Sequence, residues 1–167
     1  MRIRAAESGE LADLLVLERA AGQIFRDVGM APVAEYPPMS VGELERFRAA
    51  GLAWVVDSGG PVAYLVASLV DGCLHIDQVS THPSYGRRGI GGLLIEHAAA
   101  YASSAGLPAL TLTTFVDVPW NGPYYARCGF RVLAADEVTP GLRAIREHEA
   151  GIGLDRWPRA CMRREVA

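Results

Sequence analysis

The chain has 167 residues, half of them hydrophobic, with 16 basic and 19 acidic side chains and a formal net charge of −3. Such a length and apolar content suit one domain, 1–167, with a buried core, and the charge balance leaves no strong positive field for a nucleic-acid backbone. All the basic residues are arginines, which excludes lysine Schiff bases, hence pyridoxal chemistry, and a phosphate-loop lysine.

No apolar run approaches the roughly 20 residues that span a bilayer, and Met1-Arg2-Ile3-Arg4 leads quickly into Glu7 and Glu10. A cytoplasmic location away from membranes is expected. Cys73, Cys128 and Cys161 are odd in number and form no C-x-x-C pair, so reduced thiols are expected rather than a disulfide framework or a zinc site. His148-Glu149 begins like a helical metal motif, but Ile152 stands where the second histidine belongs. No metal is expected.

In chain order, Ile3 to Ala5 reads as a short strand. Ser8 then stands before Leu11, Leu14, Leu15 and Glu18, the spacing of an N-capped helix ending near Gly22. Residues 25 to 39, with Gly29, Pro32, Pro37 and Pro38, read as a long loop suited to binding. Ser40 and Glu43 form a capping box for a second helix. Leu52–Val56, Val62–Val70 and Cys73–Thr81 are strand-like runs, the last two joined by Asp71-Gly72, a hairpin signal. Ile90, Leu93, Leu94, His97, Ala98 and Tyr101 recur at helical spacing up to Gly106. Leu110–Phe115 reads as a strand, Pro123–Arg127 as a short helix and Phe130–Leu133 as a strand, an order that predicts a parallel pair. Leu142–Glu149 reads as a polar helix and Arg159–Val166 as the last strand. Hairpins first and strand-helix-strand units later predict an α/β fold, an α+β mixed arrangement of one central sheet with helices on both faces.

The chemistry concentrates after the strand that ends at Thr81. His82-Pro83-Ser84-Tyr85-Gly86-Arg87-Arg88-Gly89-Ile90-Gly91-Gly92 runs through a glycine-rich turn into a helix, whose first amides lack intrahelical partners. Such amides suit a phosphate or pyrophosphate, the arginines add charge, and the glycines let a ligand approach the main chain. A dinucleotide fingerprint fits less well, because Leu94 occupies the place of the third glycine and hairpins precede the turn.

The strand, His82-Pro83, the spacing Gly86-x-x-Gly89-x-Gly91 and Leu93-Leu94 resemble the acyl-CoA-binding motif of the GNAT superfamily of N-acetyltransferases. The stretch Asn121 to Phe130 resembles that family's later segment, an asparagine and then a tyrosine four residues before Gly-Phe, which selects Tyr125 over Tyr124. The likeness is strong over 52–133, the two preceding helices stand in the family's order, and the last 30 or so residues match only as a final strand. One position departs: the usual glutamine or arginine three residues before the first glycine is Gly86, with arginines displaced to 87 and 88.

The resemblance implies a GNAT-like acyl-CoA N-acyltransferase fold and transfer of an acetyl group from acetyl-CoA, as co-substrate, to a primary amine by direct attack in a ternary complex. It implies that Gly86, Arg87, Arg88, Gly89, Ile90, Gly91 and Gly92 hold the pyrophosphate, and that the main chain at Val79 and Thr81 pairs with pantetheine as an added strand would. Asn121 either touches pantetheine or caps its helix. Tyr125 donates to the departing CoA thiolate, and Asp77 stands where many members carry a base. His75 is the rival base; no dedicated base, or a loop residue such as Glu35, completes the alternatives. A small or peptide amine would meet loop 25–39, Asp117–Trp120 and Trp157, whose acids and aromatics suit such an acceptor. Its identity stays open, as does a homodimer. The rival from another class is a non-catalytic acyl-CoA-binding or sensing module, in which Tyr125 and Asp77 are incidental.

Overall fold

Asp71 and Gly72 both take positive φ, 50° and 80°, the backbone a two-residue hairpin turn demands. On either side run β3 (Pro61–Val70) and β4 (Cys73–Thr81). The structure is a computed structural model and describes residues 1–166. Seven strands form one mixed sheet in the order β1-β2-β3-β4-β5-β7-β6, with β1 at Arg2–Ala5, β2 at Ala53–Asp57, β5 at Ala109–Phe115, β6 at Arg131–Val132 and β7 at Arg159–Glu165. The helices are α1 (Leu11–Gly22), α2 (Ala31–Ala34), α3 (Val41–Ala49), α4 (Ile90–Ser104), α5 (Gly122–Arg127) and α6 (Pro140–Gly151). Contacts divide the chain into two units, Met1–Ser68 with Ile76–His97, and Leu69–His75 with the chain from Ala98 onward.

In the first unit β1 pairs antiparallel with β2, and β2 with β3. Leu11, Leu14 and Leu17 of α1 and Leu44 of α3 bury themselves against Ala53, Val55, Tyr64 and Val66; each leucine so covered contributes about 1.5–3 kcal/mol. Ser40 caps α3 as its sequence predicts, accepting from Glu43 N–H at 3.1 Å. Ser8 does not cap α1. The Glu10 carboxylate accepts from Glu7 N–H at 2.7 Å and from Arg4 at 2.8 and 2.9 Å, which holds residues 8–10 in a 3-10 turn and delays the helix to Leu11. The expected loop 25–39 is partly ordered into a 3-10 turn, Gln23–Val28, and the short α2, which begins with Pro32 in its first turn.

In the second unit β4 pairs in parallel with β5, Leu74 with Leu110 and His75 with Thr111. Here the sequence expectation needs correcting: the strands flanking α5 are not neighbours. β7 pairs antiparallel with β5 along all seven residues and also carries β6; the seven-residue ladder leaves the two-residue β6 at the edge. Leu133, Leu142 and Cys161 form a buried cluster with Val70, Val138 and Ile145 against it. Asp71 accepts from Gly141 N–H at 2.7 Å, capping α6 from the hairpin tip and starting it at Pro140, two residues before its expected beginning. No helix among the described residues is long and apolar enough to cross a membrane.

Candidate active site

The turn after β4 closes on itself first. Tyr85 N–H donates to His82 O at 2.8 Å, Gly86 N–H to Pro83 O at 3.1 Å, and Ser84 N–H to His82 Nδ1 at 3.1 Å. The backbone then enters the left-handed region at Arg87, φ 61°, and Gly89, φ 72°. The first bond of α4 is Leu93 N–H to Gly89 O at 3.1 Å. The main-chain N–H groups of residues 87 to 92 consequently meet no protein acceptor among the described residues. They stand at the positive end of a 15-residue helix, which together with the bare donors makes an anion site. Gly86 is different from its neighbours: its N–H is engaged by Pro83, and a Cβ there would lie 3.3 Å from Pro83 O. It shapes the turn. The Arg87 and Arg88 side chains are exposed, Arg88 lying over the Tyr85 ring at 5.2 Å.

On β4, Asp77, Val79 and Thr81 are half-buried. Ser68 Oγ donates to Asp77 Oδ2 at 2.6 Å. Burial pushes the Asp77 carboxyl up to about 6, against the opposing pull of the Ser68 hydrogen bond. A second carboxylate belongs to the same unit. Glu18 Oε1 accepts from Tyr64 Oη at 2.9 Å and Oε2 from Met39 N–H at 3.1 Å, and burial raises its pKa. In the sequence, Glu18 reads only as part of the α1 pattern. The available signal was its position, since a carboxylate on the stripe of Leu11, Leu14 and Leu15 must find partners inside.

The second unit holds Tyr125, Asn121 and His75. Tyr125 is 9% exposed, edge-on to Tyr124 and Phe130 with centroids 5.6 and 6.0 Å away. Burial drives its phenol well above the ordinary tyrosine value. The Asn121 side chain donates to Trp120 O at 3.2 Å and does not cap α5. Gly122 follows tightly, because a Cβ would meet Val116 O at 2.8 Å. His75 is 3% exposed, its Nδ1 2.9 Å from Thr111 Oγ1, and burial pulls it down to about 4 against the charge of Glu149. Glu149 is itself engaged, by Thr113 at 2.6 Å, Arg146 at 3.0 Å and Arg159 at 3.0 Å. Of the expected acceptor residues, Trp157 packs edge-on to Phe115 at 6.1 Å, Asp117 and Tyr36 are exposed, and Glu35 pairs with Arg26 at 3.2 Å on the surface. Among the described residues no group of three or more His, Cys, Asp or Glu is placed to hold a metal ion.

A family model described as Acetyltransferase (GNAT) family matches residues 9–130. The chain belongs to the GNAT acetyltransferase family. As a GNAT member it is an acyltransferase. Its fold is similar to that of the Escherichia coli ribosomal-protein-S18-alanine N-acetyltransferase, with 16% identity, 99% of this chain and 94% of that one covered, and TM-score 0.70. It is also similar to the PaiA N-acetyltransferase of Thermoplasma acidophilum in complex with coenzyme A, with 15% identity, 98% of each chain covered and TM-score 0.73. A third likeness is to Chaetomium thermophilum Naa20 in complex with a bisubstrate analogue, with 16% identity, 99% of this chain and 86% of that one covered, and TM-score 0.68. Within the GNAT frame, the glycine turn, Asp77, Val79 and Thr81 belong to the first unit and Asn121, Tyr125 and His75 to the second.

Proposed function

We propose that this protein is a cytoplasmic enzyme that moves an acetyl group from acetyl-CoA to a primary amine by direct attack in a ternary complex, as one GNAT domain over 1–167. The observation that carries the reading is the run of N–H groups from Arg87 to Gly92 without protein acceptors. A pyrophosphate matches that run in charge and in its need for several donors. Arg87 and Arg88 add cations beside it, and Gly86 sets the turn. The main chain at Val79 and Thr81 aligns pantetheine as an added strand does. The Asn121 side chain, which leaves its helix uncapped, is assigned to pantetheine.

Acetyl-CoA supplies a carbonyl activated by its thioester. An amine of pKa about 10.4 must lose a proton before it attacks, at a cost of roughly 4–5 kcal/mol at pH 7. Asp77 takes that proton: with a pKa near 6 it is ionised at neutral pH yet a stronger base than an ordinary carboxylate. His75, pulled to about 4 and buried on Thr111, is the weaker base. As the amine nitrogen bonds to the carbonyl carbon it releases its second proton to solvent, the carbon–sulfur bond breaks, and that bond's electron pair stays on sulfur. Tyr125 donates a hydrogen bond to that sulfur. Since its phenol is held protonated by burial, it acts as a donor rather than by giving up its proton outright.

Calorimetric titration with acetyl-CoA, followed by CoA-release assays with spermidine, lysine and a peptide with a free N-terminus, tests the reading. Binding plus release with at least one amine is expected. Binding without release from any amine would leave a non-catalytic acyl-CoA module, and absence of binding would overturn the reading.

A further inference from the structure

Residues 24–39 form a loop that leaves α1 and comes back to it. The loop departs after Gly22, where α1 ends. Its far end is tied to Glu18, one turn back on the same helix, whose Oε2 accepts from Met39 N–H at 3.1 Å. Ser40 then caps α3. The two ends are thus held within about 6 Å of each other along one helix axis. Between them the loop bonds to itself. Met30 N–H donates to Phe25 O at 3.0 Å and Tyr36 N–H to Val33 O at 3.2 Å. Gln23 Nε2 donates to Ala34 O at 3.3 Å, and Arg26 donates to Gln23 Oε1 at 2.8 Å and to Glu35 Oε1 at 3.2 Å. Met30 and Ala34 are buried, while Ile24, Val28 and Tyr36 are exposed. A surface loop closed on its own bonds, with neighbouring ends, opens as one piece.

The fastening sits at one side chain. The Glu18 carboxylate gives one oxygen to Met39 N–H and the other to Tyr64 Oη, which donates at 2.9 Å, so a single residue on α1 joins the end of the loop to β3. Tyr64 is fully buried among the leucines of α1 and α3, which makes Met39 the partner that lets go. Side chains alternate along a strand, so Tyr64, Val66 and Ser68 share one face of β3. Ser68 is the residue that donates to Asp77, and the rise of a strand places it about 13 Å from the fastening.

We infer that residues 24–39 are a lid over the acceptor side of Asp77, hinged after Gly22 and before Ser40, and that Glu18 is the positioning residue that clasps it through Met39 and Tyr64. What the lid covers rests on the proposed acyl transfer, whereas its opening about this clasp does not. Closed, it holds Glu35 and Tyr36 in a fixed place for the amine. Open, it lets the amine in and the acetylated product out.

The test compares the wild type, Glu18→Ala, Glu18→Gln and Tyr64→Phe by amide hydrogen exchange, by calorimetry with acetyl-CoA and by kinetics with the best amine of the panel. Glu18→Ala is expected to quicken exchange of the hydrogen-bonded amides of 24–39 together, by roughly ten- to a hundredfold more than those of β2 and β3, the worth of one hydrogen bond to a charged group. Amine KM rises by a similar factor, with kcat and the acetyl-CoA dissociation constant little changed. Glu18→Gln restores both readouts: its oxygen accepts from Met39 N–H and its NH2 donates to Tyr64, whose hydroxyl accepts as well as donates. Tyr64→Phe takes one donor from Glu18, loosens the loop in the same direction and serves as the break should Glu18→Ala not fold. Unchanged exchange in 24–39, a loss of protection shared equally by β2 and β3, or a Gln variant as loose as the Ala variant would overturn the clasp. An amine KM unmoved in Glu18→Ala while exchange quickens would overturn the lid's place over the acceptor. A wild-type protein that acetylates no amine defeats the proposed function, and hydrogen exchange still decides the clasp.

Discussion

Ser68 donates a 2.6 Å hydrogen bond to Asp77, and the two effects on that carboxyl oppose each other: burial lifts its pKa to about 6 and Ser68 restrains the rise. Acetyl transfer measured as kcat/KM should therefore rise with pH through a limb near 6 as Asp77 ionises. Ser68→Ala removes the restraint, so the limb moves to higher pH. Asp77→Asn lowers the rate and abolishes the limb, while His75→Asn leaves it in place. A limb that survives Asp77→Asn would show that another group is the base.

The same burial affects stability. The folded pKa of Asp77 lies above the ordinary value of 3.8, so the folded state holds its proton more tightly than the unfolded chain. The resulting stabilisation is complete below about pH 4 and is lost as pH rises to about 6. Asp77→Asn, which stays neutral, should melt higher than the wild type at pH 8, with the gap shrinking as pH falls below 6. Thermal denaturation at pH 4.5, 6 and 8 reads the sign directly; a lower melting temperature for the variant at pH 8 would contradict it.

Gly89→Val places a β-branched residue at φ 72°, a region costing non-glycine residues roughly 1–2 kcal/mol, and sets a side chain among the bare amides. Acetyl-CoA affinity should fall by far more than tenfold while the circular dichroism spectrum is retained. Unchanged calorimetric affinity would count against the turn as the phosphate site.

Tyr125→Phe should lower kcat by roughly 10²-fold, the small end of losing one hydrogen-bond donor to developing negative charge, and change acetyl-CoA affinity little, because the thiolate it serves exists only as the bond breaks. Steady-state kinetics beside calorimetry separates the two. Equal turnover would remove the assigned role.

Asp71→Ala deletes the acceptor that caps α6, and urea unfolding should show a loss of about 1 kcal/mol. Gly141→Ala should also destabilise, since its Cβ would lie 2.7 Å from both Asp71 Oδ2 and Val70 Cγ1. An unchanged denaturation midpoint for both variants would show that the hairpin tip does not hold α6.

Much of the frame was legible in the residues. The run Cys73–Thr81, the Asp71-Gly72 turn, the Ser40/Glu43 box and the helix from Ile90 all depend on neighbours within a few positions, and local chemistry set them. What escaped depends on distant partners. Ser8 lost the cap of α1 because Arg4 draws Glu10 into an ion pair. α6 began early because its cap sits 70 residues back in the chain. The parallel pair fell between β4 and β5 rather than across α5, because β7 inserts beside β5. In the candidate site the glycine turn could be read from its spacing, whereas the engagement of Gly86 N–H by Pro83 could not. Glu18 was hidden for the same reason: its partners, Tyr64 and Met39, are 46 and 21 residues away.

The account stands on the amides of Arg87 to Gly92 gripping the pyrophosphate of acetyl-CoA. Titrating isotopically labelled protein with acetyl-CoA and following backbone amide resonances by NMR tests this most directly. Large, saturable shifts at residues 87–92, reproduced by CoA but not by a pantetheine thioester that lacks the pyrophosphate, are predicted. Saturation with those resonances unmoved would contradict it.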